Sequence, residues 1–161
     1  MNYRPITLLN FAYKIFAIIL NQRLVDIVET KLGDYQSGFR LNRSTNDNIF
    51  MIRQIIKKCY EYNIDIHNIF IDYIRAFDSI KRNKILDLLT QHKIPSKLIR
   101  LIKLTLENTT AIVKINNAYT RTIEFRVESG VKQGDPLSPT LFSLVTDTVW
   151  KKLDLRGNIS A

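Results

Sequence analysis

The sequence predicts an α+β fold, in which amphipathic helices are mixed with one short strand and a β-hairpin. Apolar residues recur at helical spacing in several segments, a β-branched and aromatic run follows His67, and a later segment alternates apolar and polar residues around an Asn-Asn pair. Because strands and helices do not alternate regularly, this order is typical of α+β proteins rather than of a doubly wound parallel sheet. A length of 161 residues indicates a single domain.

The N-terminal part predicts two helices. The first spans about residues 9–31 and ends near Gly33, with an apolar stripe formed by Ile15, Ile18, Ile19, Leu24, Ile27 and Val28. Ser44 or Thr45 is expected to cap the second helix, which has Asp47 in its first turn. Its predicted buried face consists of Ile49, Ile52, Ile55, Ile56 and Cys59.

The remaining elements follow in a mixed order. Residues 67–74 predict a short buried strand, and a helix is expected over about 77–91. Pro95 and Ser96 start another helix, because proline is favoured at helix N-termini. Residues 110–127 predict the hairpin, and a final helix is expected over about 139–153.

Charge and composition narrow the possible functions. Lys and Arg number 24 against 15 Asp and Glu, a net charge of +9, which favours polyanionic partners; a well-charged solvated surface is the alternative. The single cysteine, Cys59, excludes an intrachain disulfide and a thiolate zinc cluster, and the two histidines lack ligand spacing. We find no secretory signal and no membrane-length apolar segment, so we expect an intracellular protein without a membrane partner.

Two aspartates lie in "IFIDYIRAFDSI", residues 69–80. Asp72 falls at the end of the predicted strand, where an exposed carboxylate could bind Mg²⁺, a cation that prefers oxygen ligands. The residues alone leave a second interpretation open, in which Asp72 is a solvated strand end and Asp78 caps the next helix.

The segment "SGVKQGDPLSP", residues 129–139, combines glycine, proline and polar side chains just before a helix. Gly130 and Gly134 permit close backbone approach or positive φ, while Gln133 and Lys132 supply hydrogen bonds and charge. Such a loop suits a flat polar ligand next to phosphates, and the alternative is an ordinary turn before a helix.

The segment "YQSGFRLNRST" places Arg40 and Arg43 next to a Gly38-Phe39 turn just before a helix. Arginine reads phosphate through its planar fork of donors, so this loop is a candidate phosphate-binding segment. A basic solvated loop is the alternative.

Four segments resemble, in chain order, successive motifs of reverse transcriptases from non-long-terminal-repeat (LINE-type) retrotransposons: "NYRPITLLN", "YQSGFRLNRST", "FIDYIRAFDSI" and "SGVKQGDPLSPTLF". The resemblance runs from Asn2 to about Ser160. It implies a partial right-hand polymerase domain, with fingers over about 1–66 and palm over about 67–161. The palm sheet is expected to be incomplete, with an exposed edge at the strand that carries Asp72.

The resemblance also implies roles for the motif residues. Asp72 matches the first metal-binding catalytic aspartate, and Phe77 resembles the aromatic gate that excludes a ribose 2′-hydroxyl. The implied cofactor is Mg²⁺ or Mn²⁺, and the implied partners are an RNA or DNA template with its primer and deoxynucleoside triphosphates. Two-metal phosphoryl transfer is the implied chemistry.

Other motif residues resemble groups that bind the substrates. Arg40 is similar to a fingers residue that clasps the incoming triphosphate. Gln133 and Gly134 match the loop beneath the nucleotide and template base. Three basic residues are expected to contact template or phosphate: Arg4, Arg43 and Lys132.

The family's next motif, an aromatic residue followed by Ala-Asp-Asp, is not found, although "KKLDLRGNIS" resembles the segment that leads into it. We therefore expect the 161 residues to be inactive alone and only marginally stable. Asp78, Asp135 and Asp147 are better explained by capping or solvation than by pairing with Asp72. The alternative function is a non-catalytic nucleic-acid-binding remnant, and the expected location is the nucleus or the cytoplasm.

Overall fold

A computed structural model of the chain describes residues 6–113 and 124–153, which form five helices and one two-stranded sheet. In chain order the elements are α1 (Phe11–Glu29), α2 (Thr45–Glu61), α3 (Arg82–Gln91), α4 (Ser96–Leu106), β1 (Thr110–Ala111), β2 (Phe125–Arg126) and α5 (Ser138–Leu153). The mixture of helices with a small antiparallel sheet agrees with the predicted α+β class.

The hydrophobic core lies between four of the helices. Helix α1 packs on α4 and α5, and α3 packs on the same two helices. The core residues include Leu20, Leu24, Ile85, Leu89, Ile102, Leu141 and Leu144, all nearly inaccessible to solvent. Their removal from water is the main favourable contribution to folding.

Helix α1 begins where predicted, but its buried face is rotated. Asn10 caps it by accepting a hydrogen bond from the Ala12 backbone N–H at 2.9 Å. The buried residues are Ala17, Leu20, Leu24 and Val28. The predicted members Ile15, Ile18 and Ile19 are exposed. This helix is apolar on several sides, so spacing alone does not select the side that faces the core.

Helix α2 confirms the predicted cap but not the predicted burial. Ser44 is the N-cap, and it forms a capping box with Asp47. The buried face proposed from the sequence is wrong, because no residue of α2 is buried. Among the elements that the structure describes, α2 packs against none, so its isoleucines have nothing to bury against.

The predicted buried strand at residues 67–74 is also wrong. The segment forms no strand, and Ile69 and Phe70 are each 86% exposed. A strand is defined by ladder hydrogen bonds to a neighbour. Within residues 6–113 and 124–153 no strand runs beside this segment, so its β-branched composition is not sufficient to form one.

The third helix begins later than predicted, and Asp78 does not cap it. Helix α3 starts at Arg82 after Lys81, which makes no side-chain capping bond. Residues 74–79 form a turn instead, in which the backbone N–H groups of Asp78 and Ser79 both donate to the Arg75 carbonyl at 3.0 Å. This turn leaves Asp78 outside the helix.

The base of the predicted hairpin is confirmed. Thr110 pairs with Arg126 and Ala111 with Phe125 in antiparallel register. The Val127 backbone N–H extends the pairing by donating to the Thr109 carbonyl at 2.8 Å. The predicted tip, residues 114–123, lies outside the described residues.

None of the described helices combines the length and the apolar character needed to cross a membrane.

Candidate functional site

Loop 129–137 is joined directly to the turn that follows Asp72. The backbone N–H of Gly130 donates to the Ile80 carbonyl at 2.8 Å, and that of Val131 donates to the Phe77 carbonyl at 2.9 Å. Gly130 has φ +77°, and a Cβ placed there would lie 2.7 Å from the Asp78 Cα. Glycine is required here because the two backbones touch.

The same loop reaches the N-terminal segment through Gln133. The Thr7 backbone N–H donates to the Gln133 carbonyl at 2.9 Å. Gly134 has φ +103°, and a Cβ there would lie 3.2 Å from the Thr7 carbonyl oxygen. Three separated segments of the chain, around Thr7, Phe77 and Gln133, therefore meet through backbone contacts.

Asp135 anchors the loop to α1. The Tyr13 hydroxyl donates to Asp135 Oδ2, and the Leu137 backbone N–H donates to Asp135 Oδ1 at 3.0 Å. Burial and this bond to a carboxylate raise the pKa of Tyr13, so its hydroxyl stays a donor. The Lys132 ammonium lies 4.6 Å from the Tyr13 ring centroid, and burial lowers the pKa of Lys132.

Three phenylalanines form an aromatic cluster that we define as Phe39, Phe77 and Phe142. The rings of Phe77 and Phe142 are stacked, with centroids 4.8 Å apart and planes inclined by 8°. Phe39 meets both rings edge-on, at 6.1 Å from Phe77 and 6.5 Å from Phe142. The cluster joins loop 33–43, the turn after Asp72 and helix α5.

Arg40 makes its contacts inside the protein. Its guanidinium donates two hydrogen bonds to Glu29 Oε1, at 2.6 and 2.9 Å, and others to the Gly33 and Gln36 carbonyls at 2.7 and 3.0 Å. Only 5% of its side chain is exposed. Arg40 therefore fixes the shape of loop 33–40, and it would have to exchange partners to reach a triphosphate.

The second arginine of this loop is more accessible. Arg43 pairs with Asp34 at 2.6 Å near the surface, where an ion pair contributes little and can be exchanged for another anion. Arg4, the third predicted arginine, lies outside the described residues.

Asp147 holds the start of this loop against α5. Its buried carboxylate accepts from the Gly33 backbone N–H and from the Tyr35 hydroxyl, both at 2.8 Å, and pairs with Lys151 at 2.7 Å. Burial by itself would raise the pKa of Asp147, but these three partners outweigh burial and lower it. The sequence analysis explained Asp147 by capping or solvation and missed this role, since Gly33 and Tyr35 are more than 100 residues away in sequence.

Asp72 is exposed, and its Oδ1 accepts a hydrogen bond from the Tyr73 backbone N–H at 3.0 Å. A Mg²⁺ ion is often held by one or two carboxylates together with substrate phosphates and water, so Asp72 can provide one such ligand. Across residues 6–113 and 124–153, no group of three or more His, Cys, Asp or Glu side chains is placed to hold a metal ion. Asp72 therefore belongs to no such group among the described residues.

Arg82 is a further residue that the sequence did not single out. Its guanidinium donates to the carbonyls of Leu106, Val127 and Gly130, and to the Thr109 hydroxyl. It therefore ties α3 to α4, the hairpin and loop 129–137 at once. No local pattern marks this arginine, because most of its partners are backbone carbonyl groups that carry no sequence signal.

An apolar cavity of about 360 Å³ lies between the turn after Asp72, α3 and α5. Tyr73, Ala76 and Phe142 contribute to its wall, with Lys81 and Lys84 also in the lining. Phe142 is therefore shared by this cavity and the aromatic cluster.

Comparison with known proteins assigns the family. Residues 1–160 match the family described as reverse transcriptase (RNA-dependent DNA polymerase). The chain is 28% identical to the "Transposon TX1 uncharacterized 149 kDa protein" of Xenopus laevis, over 99% of this chain and 13% of that protein.

Two relatives from Drosophila melanogaster carry enzyme names. The chain is 29% identical to the "Probable RNA-directed DNA polymerase from transposon BS", over 90% of this chain and 16% of that protein. It is 30% identical to the corresponding protein of transposon X-element, over 89% of this chain and 16% of the relative. The chain thus spans less than a fifth of these three relatives. The resemblance found in the sequence is confirmed, and the chain belongs to the reverse transcriptase (RNA-dependent DNA polymerase) family.

Proposed function

We propose that this chain forms the fingers, about residues 1–66, and part of the palm, about 67–161, of an RNA-directed DNA polymerase. The polymerase would extend a primer 3′-hydroxyl with deoxynucleoside triphosphates on an RNA or DNA template. The convergence of Phe39, Phe77 and Phe142 carries this proposal, because it joins three motif segments that are far apart in sequence. The nucleus or the cytoplasm, where such templates occur, is the corresponding location.

Asp72 is assigned to metal binding. Divalent Mg²⁺ or Mn²⁺, when bound, would activate the primer 3′-hydroxyl and stabilise the leaving pyrophosphate. Asp72 offers an exposed carboxylate next to the turn that carries Phe77. Two ions require more carboxylates than this one, so we expect no primer extension from these 161 residues alone.

The nucleotide is assigned to the surface between Phe77 and Gln133. Phe77 would exclude the 2′-hydroxyl of a ribose, and the backbone of Gln133 and Gly134 would lie beneath the nucleotide and template base. The contact of this loop with Thr7 and Phe77 supports the assignment, since a rigid platform costs less entropy on binding.

The phosphate groups are assigned to basic residues around this surface. Arg40 would clasp the triphosphate only after it releases Glu29, whereas Arg43 can exchange its surface partner Asp34 directly. Lys132 is placed beside Tyr13 on the same loop as Gln133. Arg4 is retained as a template contact on the basis of its motif alone.

A binding experiment tests the proposed function without requiring catalysis. The chain is mixed with a primer–template duplex and Mg²⁺, and the dissociation constants of the four deoxynucleoside triphosphates are measured by calorimetry. We expect the nucleotide complementary to the templating base to bind most tightly. Equal affinity for all four nucleotides, or no binding, would contradict the proposal.

One observation favours the alternative, a nucleic-acid-binding protein without catalysis. Lys97 and Arg100 are exposed on the same face of α4, and neither forms an ion pair within the described residues. In this alternative, duplex affinity would fall steeply with salt, and a Lys97→Gln/Arg100→Gln variant would show a salt slope smaller by about two. Selective binding of the complementary nucleotide would exclude this alternative as a full account.

A further inference from the structure

Phe39 occupies an unusual position in the aromatic cluster. Its side chain meets both Phe77 and Phe142 edge-on, yet the residue is 61% exposed. Its backbone has φ 58°, in the left-handed region that bulky side chains rarely adopt. A large apolar residue is thus held in an unfavourable conformation at the surface, where the small area that it buries contributes little to stability.

The neighbouring residue explains how this conformation is maintained. Arg40 binds Glu29 and the carbonyls of Gly33 and Gln36, which fixes the chain on both sides of the turn. Strained residues persist where the surrounding structure determines them, and they are concentrated at functional sites. Phe39 keeps this strained backbone while its ring contacts the cluster.

The contacts of Phe77 show what Phe39 adds. The Phe77 backbone is fixed by the Val131 hydrogen bond and by the close approach of Gly130. One face of its ring is covered by Phe142, and the stacked pair alone allows the rings to slide past each other. The edge of Phe39 contacts both rings, so it limits this sliding.

We propose that Phe39 is a positioning residue that sets the place of the Phe77 ring and thereby the selection of deoxynucleotides over ribonucleotides. This inference rests on the proposed function, in which Phe77 faces the sugar. A small displacement of the Phe77 ring is enough to admit one hydroxyl group. Loop 33–43 therefore contributes to sugar selection without contacting the sugar.

The test compares deoxynucleotide and ribonucleotide binding. The chain is bound to primer–template with Mg²⁺, and dissociation constants are measured for the complementary deoxynucleoside triphosphate and its ribonucleotide counterpart. Selectivity is the dissociation constant of the ribonucleotide divided by that of the deoxynucleotide. We expect Phe39→Leu to reduce this ratio by about three- to tenfold, which corresponds to the energy of one aromatic edge contact. Phe39→Tyr keeps the ring and should keep the ratio.

Two further variants separate positioning from stability. Asparagine tolerates positive φ, so Phe39→Asn should fold at least as stably as the unaltered chain and still lose selectivity. Leu41→Ala is the control, because Leu41 is 72% exposed in the same loop and lies outside the cluster; it should leave the ratio unchanged.

The outcomes distinguish the two proposals. An unchanged ratio in Phe39→Leu and Phe39→Asn, with binding of the complementary deoxynucleotide retained, would overturn the role of Phe39 alone. Failure of the unaltered chain to prefer the complementary deoxynucleotide would overturn the proposed function, and this inference with it.

Discussion

Phe77 and Phe142 stack face to face, with ring centroids 4.8 Å apart, and this contact fastens the turn after Asp72 to helix α5. The segment before the turn is not held in a sheet, because residues 67–74 form no strand. The backbone hydrogen bond from Val131 to Phe77 is the second attachment at this point. The place of Phe77 in the candidate site therefore depends on α5 as well as on its own segment.

Replacing Phe142 by leucine should weaken this attachment. We expect the free energy of unfolding to fall by about 1–2 kcal/mol, since an aromatic pair and part of its buried area are lost. A double-mutant cycle with Phe77→Leu should give a coupling energy of about 0.5–1.5 kcal/mol. Urea unfolding followed by circular dichroism measures both quantities.

Val149→Ala is the control for this cycle, because Val149 is exposed on the same helix. Its coupling to Phe77→Leu should be close to zero. A coupling between Phe77 and Phe142 no larger than that of the control would show that the stack does not stabilise the turn.

Gly130→Ala tests the contact between loop 129–137 and the same turn. The added Cβ would lie 2.7 Å from the Asp78 Cα, and φ +77° is unfavourable for alanine. We expect a loss of about 2 kcal/mol or more in the free energy of unfolding. Thermal unfolding is a sufficient measurement.

Gly38→Ala is the matched control, because the nearest atom to its Cβ would be 3.9 Å away and its φ is not positive. It should change stability by less than about 0.5 kcal/mol. Equal effects of the two substitutions would mean that Gly130 is not required for the close approach.

The lowered pKa of Asp147 predicts that the stability of the fold depends on pH. Its folded pKa lies below the usual 3.8, so its contribution to stability is complete above the unfolded pKa and is lost as the pH falls through the folded pKa. Asp147→Asn should therefore lower stability at pH 7, by about 1.5–3 kcal/mol, and the difference from the unaltered chain should shrink at pH 3. Urea unfolding at the two pH values checks the sign.

Asp87→Asn provides the comparison, since Asp87 and Lys84 form an exposed pair on α3 at 3.6 Å. Its effect should be small at both pH values. The contrary result is a loss of stability in Asp147→Asn, relative to the unaltered chain, that stays the same from pH 7 to pH 3. That result would exclude the ionised carboxylate as the source of stabilisation.

Local features of the fold could be predicted where neighbours in sequence decide the structure. The cap of α2 at Ser44 and the base of the hairpin depend on residues a few positions apart or on a turn, and both are confirmed. The strand at residues 67–74 and the buried face of α2 were wrong, because each required a packing partner that the local pattern does not reveal.

The candidate site could be predicted only in part, for the same reason. The resemblance identified the motif segments, and the structure brings Phe77 and Gln133 into one region. The resemblance did not predict that Arg40 binds Glu29, or that Phe39 and Phe142 contact the Phe77 ring. These contacts join residues on different elements, and local spacing carries no information about them.

The exposed isoleucines of α2 predict association of the isolated chain. Ile52 and Ile56 lie on one face of a helix that packs against no other described element, and exposed apolar faces promote self-association. An Ile52→Lys/Ile56→Glu variant should shift the chain toward monomer in light scattering. Its free energy of unfolding should change by less than about 0.5 kcal/mol, as for surface substitutions.

This prediction has a direct check in the unaltered chain. A monodisperse monomer with a sharp, reversible thermal transition would contradict both the association and the marginal stability expected from the sequence. The variant and the unaltered chain should be compared at the same concentration, because association depends on it.

We propose that Asp72 binds a divalent ion together with the nucleotide. The most direct measurement is the dissociation constant of the complementary deoxynucleoside triphosphate on the primer–template complex, with and without Mg²⁺. We predict that Mg²⁺ strengthens nucleotide binding to the unaltered chain. Asp72→Asn should reduce this gain in affinity by about tenfold or more. Asp65→Asn, at an exposed aspartate of the same segment, should retain the gain. An identical Mg²⁺ dependence in Asp72→Asn and the unaltered chain would contradict the account.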